Sequence, residues 1–342
     1  VNPSFNNGIL SVELQPQNAE GLSWEVVIDQ NPLTPDTVAP LYHQTLTTTN
    51  LSVAVSYSNT YYIHVRTECS YEWSDWGTQS FTTPCGVVTL PYAENFDLVA
   101  PYCWNRYTGL LYNVISGNET LVPATGGWIA NSTNCWSNSH ATLDIFGSNV
   151  KHWLVTPEIA IENGTVIDFD LALTDYNSSN PIARPNGQQD DRFVVLVSRD
   201  GGNTWNANDI VAEWNNTGSS HTFNTIAHNG NHMQFYLGNY AGDTIQVAFY
   251  GESTQTNGDN DLHLDNLRLH VTNNMVTLTD QVCESNRYLA NGFDVYEEHP
   301  GTYTYYRASN DTVYSLILTV LSEATETIDM AVCDNDLPYA WN

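Results

Sequence analysis

Along the whole chain, short runs rich in Val, Ile, Thr, Tyr and Phe alternate with clusters of Asn, Gly, Ser and Asp. Residues 23–29 (SWEVVID), 60–67 (TYYIHVRT), 192–198 (RFVVLVS), 244–250 (TIQVAFY) and 314–320 (YSLILTV) are the clearest runs. β-Branched and aromatic side chains suit a pleated, half-buried surface, and the clusters between them carry turn chemistry. In the second run, Tyr62, His64 and Arg66 alternate with Tyr61, Ile63 and Val65, so each set faces one side of a strand. Almost nothing has helical spacing. The pattern predicts an all-β chain of tandem β-sandwich modules.

Length makes this more than one core, since 342 residues exceed an ordinary single domain. Charge then narrows the partners. Asp and Glu number 38 against 9 Lys and Arg, one of them a lysine (Lys151), for a formal charge of −29. Such a surface repels phosphate backbones and anionic membranes, which excludes nucleic acid and disfavours lipid, and it suits divalent cations. No apolar run reaches the roughly 18 residues that a membrane span needs, so no membrane insertion is expected.

The six cysteines, at 69, 85, 103, 135, 283 and 333, contain no CxxC pair, which argues against zinc-ribbon and thioredoxin-type chemistry. They fall two by two, as local disulfides in an oxidising compartment would: Cys69 with Cys85, Cys103 with Cys135, and more weakly Cys283 with Cys333. The alternative is free buried thiols. No charged-then-apolar leader precedes the first residues, and the last ten, CDNDLPYAWN, read as the start of another repeat. The chain therefore reads as a piece of a longer secreted or cell-surface protein.

Three segments carry resemblances. In residues 1–84, Trp24, Leu51, the Tyr-rich run and the closing TECSYEWSDWGTQSFTTPC resemble a fibronectin type III module of secreted Bacteroidetes proteins, in which a Cys pair brackets the final hairpin. Residues 4–12 stand so near the start that the expected first strand lies upstream of Val1. Residues 86–273 carry LPYAENFD, PYCWNRY, HWLVTPEIAI, DDRFVVLVSRDGGNTW and DNDLHLDNLRL in an order that resembles the choice-of-anchor J, or cleaved-adhesin, jelly-roll module, related to MAM domains. That resemblance implies a two-sheet sandwich with calcium and a surface-binding role. Residues 275–332 (VCESNRYLANGF, GTYTYYR, NDTVYSLILTV) resemble a short Ig-like surface repeat. Asn310 stands where such repeats often carry a cysteine, which deprives Cys283 of its usual partner. VCDNDLPYAWN echoes VCESNRYLANGF, so 333–342 would begin a following repeat.

The chain carries no GxSxG elbow, HExxH, P-loop or dinucleotide fingerprint. His263 and Asp265 share one strand face, a spacing that suits a metal or an acid/base pair, against an exposed strand edge as the alternative. SRDGGNTW (198–205) fits the Asp-box of sialidase propellers, but in a single copy, which favours a structural hairpin turn over that chemistry. Calcium is the expected structural cofactor, because hard oxygen donors suit it. In a jelly roll the first and last strands lie side by side, which nominates Glu94, Asp97, Asp265 and Asn266, with the pairs Asp259/Asp261 and Asp190/Asp191 as further loops. Trp128, Trp136 and Trp214 sit in polar contexts (GGWIAN, NCWSNS, AEWNNT) and are candidates to stack on a sugar, against core packing as the alternative. Asp-Thr-aliphatic triplets at Thr37 and Thr312 resemble a Bacteroidetes O-glycosylation signal. The sequence thus points to a non-catalytic, extracellular, adhesin-like or filament segment. Its partners would be a glycan, a host or extracellular protein, or neighbouring modules of its own or like chains. The alternative is a set of accessory binding modules of a secreted protease or glycoside hydrolase.

Overall fold

The computed structural model describes residues 1–15, 23–36, 38–69, 72–98, 100–182 and 190–322. The chain is all-β, and it divides into two compact units, Val1–Val271 and Thr272–Asn342.

The first unit begins with two small sheets. Asn2–Asn6, Ile9–Glu13 and Asn50–Ala54 form one; Tyr42–Leu46, Trp24–Asp29, Thr60–Cys69 and Gly77–Thr82 form the body of the other. Asn2–Asn6 and Ile9–Glu13 form a hairpin, because Asn7 and Gly8 turn the chain at φ 49° and 78°, conformations that Asn and Gly tolerate. Leu10, Val12, Val26, Ile28, Leu51, Val53, Tyr61 and Ile63 meet in one core. Outside it, the Arg66 guanidinium lies 5.2 Å from the Trp73 ring centre and 4.6 Å from that of Trp76, while its Nε donates to Glu25.

Beyond Val88 a second, larger core fills the space between an eight-stranded and a six-stranded sheet. The eight-stranded sheet contributes Leu154, Phe193, Val195, Val247 and Phe249; the six-stranded sheet contributes Leu143, Ile167, Phe169, Leu171, Leu262 and Leu264. The back of the eight-stranded sheet is covered by the short helix Leu111–Ile115 and by Trp205. Trp205 ends the 198–205 segment. There Asp200 accepts bonds from Thr204 N (2.9 Å), Thr204 Oγ1 (2.7 Å) and Ser198 Oγ (2.8 Å), and Gly201 and Gly202 adopt positive φ. The segment is the hairpin turn that its side-chain chemistry demands.

The disulfide differs from both expected pairings. Cys85 bonds Cys103, with Cα atoms 5.5 Å apart and a sequence separation of 18, so neither Cys69–Cys85 nor Cys103–Cys135 forms. Local doubling of cysteines was the wrong guide, since the bond closes the link into the second core. Closing a loop of this length stabilises a fold by about 3 kcal/mol. Cys135 is a half-buried free thiol and Cys283 an exposed one. Cys333 lies outside the described residues, as do Thr37 and the segment 333–342.

In the second unit, Met275–Cys283 pairs parallel with Thr312–Leu321, which pairs antiparallel with Gly301–Ser309. Leu316, Leu318 and Val320 pack with Tyr288 and Phe293 of a small hairpin. Thr312, half-buried, begins the last strand just after the positive-φ pair Asn310 and Asp311. Among the described residues no helix is long and apolar enough to cross a membrane, which says nothing of a β-barrel.

Candidate functional site

The six-stranded sheet buries one face and presents a polar row on the other. Its strand Thr165–Asp175 (TVIDFDLALTD) alternates strictly in its middle: Ile167, Phe169, Leu171 and Leu173 enter the core, while Asp168, Asp170 and Thr174 face outward. On its neighbour Asn260–Val271, Leu262, Leu264, Leu267 and Leu269 point inward. That spacing contains one irregular step. Asp168 pairs with Arg268 but Asp170 with Asp265, so Asn266 and Leu267 together oppose Phe169 in a bulge, with Asn266 at φ 50°. The bulge puts His263 and Asp265 before it, and Arg268 and His270 after it, on one outward face.

The part beyond the bulge is open. A groove of about 640 Å³ is lined by Glu94, Asp168, Asp170, His232, Asn266 and Arg268, among others. Asp170 accepts bonds from His232 Nδ1 (2.9 Å) and Asn266 Nδ2 (2.8 Å). Asp168 stands 3.3 Å from Arg268 Nε, 3.1 Å from His270 Nδ1 and 3.9 Å from His232 Nε2. Its burial raises its pKa despite the Arg268 guanidinium and the imidazoles beside it. Donors and acceptors of both signs thus converge on one concavity. A larger concavity of about 1030 Å³ lies under residues 29–41, but there Asp29 serves the loop itself, accepting from Asn31 N and Asp36 N.

At the groove's edge three of the four nominated calcium ligands influence one another. Burial first, then the charges of Asp97 and Asp265, push the Glu94 carboxyl up. Burial also raises Asp265, whose Oδ2 accepts from Asn138 Nδ2 at 2.6 Å while its buried Oδ1 has no hydrogen-bond partner. A buried, unpaired carboxylate oxygen beside other acids is the kind of group a hard cation relieves, but among the described residues the Glu94, Asp97 and Asp265 carboxylates do not gather into one metal-holding cluster. Asn266, the fourth nominee, instead turns its amide to Asp170. At the other end of the sheet burial, with Asp259 and Asp261, pushes Asp144 up to about 6. Asp261 is tied down by Asn177 N at 2.8 Å, and Asp190 by Thr254 N and Gln255 N, whereas buried oxygens of their neighbours Asp259 and Asp191 have no hydrogen-bond partner and burial pushes Asp191 up to about 7.

The part before the bulge is covered by the segment that carries Cys135 and Trp136. His140 is buried; its Nδ1 donates to Asn138 O at 2.9 Å and its Nε2 lies 3.9 Å from Cys135 Sγ. His263, also buried, sits between Thr142 Oγ1 and Thr174 Oγ1, both at 2.9 Å. Burial lowers the pKa of both rings, His263 to about 3, and raises the Cys135 thiol to about 12. His263 and Asp265 therefore do share a face, but His263 is enclosed rather than at an exposed edge.

The tryptophan candidates need correcting. Trp128 and Trp214 are 0% and 2% exposed and belong to the main core, where Trp214 packs on Phe193, His221 and Phe235. A ring with no free face cannot stack on a sugar. Trp136 is half-buried, edge-on to His140 and His263. Trp214 lies inside the strand Ile210–Asn215 and Trp128 directly precedes the strand Ile129–Asn131, so polar neighbours in sequence do not decide which way either ring points. The groove residues Asp168, Asp170, His232 and Arg268 were missed by motif reading. Their signal was alternation of acids with core residues in IDFDLALTD.

The arrangement is that of a β-sandwich with a decorated sheet face. Solved β-sandwich binding modules resemble it. A carbohydrate-binding module of the β-sandwich superfamily aligns over 76% of this chain and 91% of its own, at 11% identity and TM-score 0.33. The K3 cleaved adhesin domain of Lys-gingipain from Porphyromonas gingivalis aligns over 52% and 97%, at 14% identity and TM-score 0.30. The module CBM27-1 of Caldicellulosiruptor saccharolyticus, solved with mannohexaose, aligns over 53% and 96%, at 13% identity and TM-score 0.34. Scores this low carry no argument about ligand or activity. No protein-family model matches the chain, and no curated protein does.

Proposed function

We propose that this chain is a non-catalytic extracellular binding segment whose sheet-face groove holds a neutral glycan. The observation that carries the reading is the groove itself, where Asp168, Asp170, His232, Asn266 and Arg268 offer donors and acceptors side by side on rigid strands. Vicinal hydroxyls each donate and accept, so alternating carboxylates, amide and guanidinium match them, and strands hold that match at low entropic cost. Calcium, held by Glu94, Asp97 and Asp265, would brace the groove's edge. The net charge of −29 supports a secreted, soluble setting and argues against anionic ligands. The module order proposed is a fibronectin type III-like segment, the groove-bearing jelly roll and an Ig-like repeat, with O-glycans at Thr37 and Thr312 in a Bacteroidetes surface protein.

Binding to a panel of immobilised neutral polysaccharides, with charged ones alongside, tests this. At least one neutral polymer is expected to bind, and Arg268→Ala is expected to weaken it about tenfold or more, the loss of one hydrogen bond to a charged group. Arg268 is exposed, so its removal leaves the core intact. Binding that is unchanged in Arg268→Ala, and also in Asp170→Ala, would refute the assignment.

A further inference from the structure

Among the described residues, a thiol and two imidazoles meet on the covered half of the sheet face, away from the groove. Their ligand atoms, one from each of Cys135, His140 and His263, all lie within 4.8 Å of one another. We propose that Cys135, His140 and His263 form a zinc site.

Geometry supports it first. Zinc holds sulfur at about 2.3 Å and imidazole nitrogen at about 2.0 Å in a tetrahedron, which sets those two atoms about 3.5 Å apart. Cys135 Sγ and His140 Nε2 are 3.9 Å apart, so a few tenths of an ångström close that edge. The tautomer is also prepared. A carbonyl can only accept, so the bond from His140 Nδ1 to Asn138 O puts the ring's proton on Nδ1 and leaves the Nε2 lone pair facing the thiol. Ligating histidines are regularly tied by their other nitrogen in this way.

His263 is held by a hydroxyl at each nitrogen, Thr142 at Nδ1 and Thr174 at Nε2. Only one nitrogen of a neutral ring has a proton, so one hydroxyl donates and the other accepts. The donated bond is the one that yields to a metal, while the other keeps the ring in place. Asp265 and Asp261 place negative charge near Cys135, so the enclosure favours a cation. Thiolate and imidazole select zinc over calcium, which separates this site from the all-oxygen set at Glu94. On binding, the Cys135 S–H gives its proton to solvent and the sulfur's electron pair bonds the metal, releasing one proton per site without redox change.

The test is cobalt titration of the full chain, reduced with a phosphine and kept in excess calcium so that oxygen sites are filled. A thiolate-to-cobalt charge-transfer band is expected to saturate near one equivalent, to be displaced by zinc, and to vanish in Cys135→Ser. His140→Gln is expected to weaken cobalt binding by about tenfold or more. In unsubstituted protein, zinc is expected to slow iodoacetamide alkylation at Cys135, mapped by mass, and to leave the exposed Cys283 unaffected. The absence of a saturable band, a band that survives Cys135→Ser, or equal Cys135 alkylation with and without zinc would overturn the proposal. The alkylation result decides even where a variant fails to fold.

Discussion

Removing calcium is expected to lower the unfolding temperature of the Val1–Val271 unit by on the order of 10 °C. Calcium at about a thousand times its dissociation constant adds about 4 kcal/mol, and each kcal/mol moves a unit of this size by about 2–4 °C. The proposed source is the acidic edge of the groove, where the charges of Asp97 and Asp265 act on Glu94 and a buried Asp265 oxygen has no partner. The pH dependence has a fixed sign. Glu94 and Asp265 have folded-state pKa values raised by burial, so their ionisation costs stability. That cost is complete above the folded pKa values and absent below the unfolded ones. As pH falls through that interval, the metal-free protein is relieved of the cost while calcium loses its ligands, so the gap between the two melting temperatures narrows. Calorimetry with calcium and with chelator, at neutral pH and near pH 4, reads this directly. Equal melting temperatures at neutral pH would remove calcium from the account.

Truncating Trp214 or Trp128 to alanine is expected to cost about 3–5 kcal/mol of stability, the range for deleting a large core ring. Both rings are enclosed, and Trp214 ties a strand of the eight-stranded sheet to Phe235 of the six-stranded one. Trp136→Ala, at a half-buried position, is expected to cost about 1 kcal/mol. Urea midpoints of the three variants measure this order. A Trp214→Ala protein that keeps its stability but loses sugar binding would restore the stacking role that the structure denies it.

Strand positions were legible because each depends on local alternation, which burial on one face enforces. The runs around Val26, Ile63, Val195, Val247 and Leu316 all became strands. The turn at 198–205 was legible for the same reason, since Asp200 and its two glycines act within one loop. Disulfide pairing was not legible, because Cys85 meets Cys103 only once the link between two cores is placed. Tryptophan burial was missed because polar neighbours in sequence do not say which face of a strand or bend a ring takes. The groove was hidden for a topological reason. Asp168 and His232 are far apart in sequence, and only the pairing of Thr165–Asp175 with Asn231–Tyr236 and Asn260–Val271 brings their chemistry together. The side-by-side placing of first and last strands was legible, since the strand Tyr92–Glu94 does pair with the closing strand.

The most direct test of the account is amide hydrogen exchange of the intact chain with and without a saturating polysaccharide that it binds. The account predicts slowed exchange confined to the groove segments 93–95, 168–170, 231–234 and 265–268, with residues 29–41 unchanged. Protection centred on residues 29–41 or on the second unit, with the groove unaffected, would contradict it.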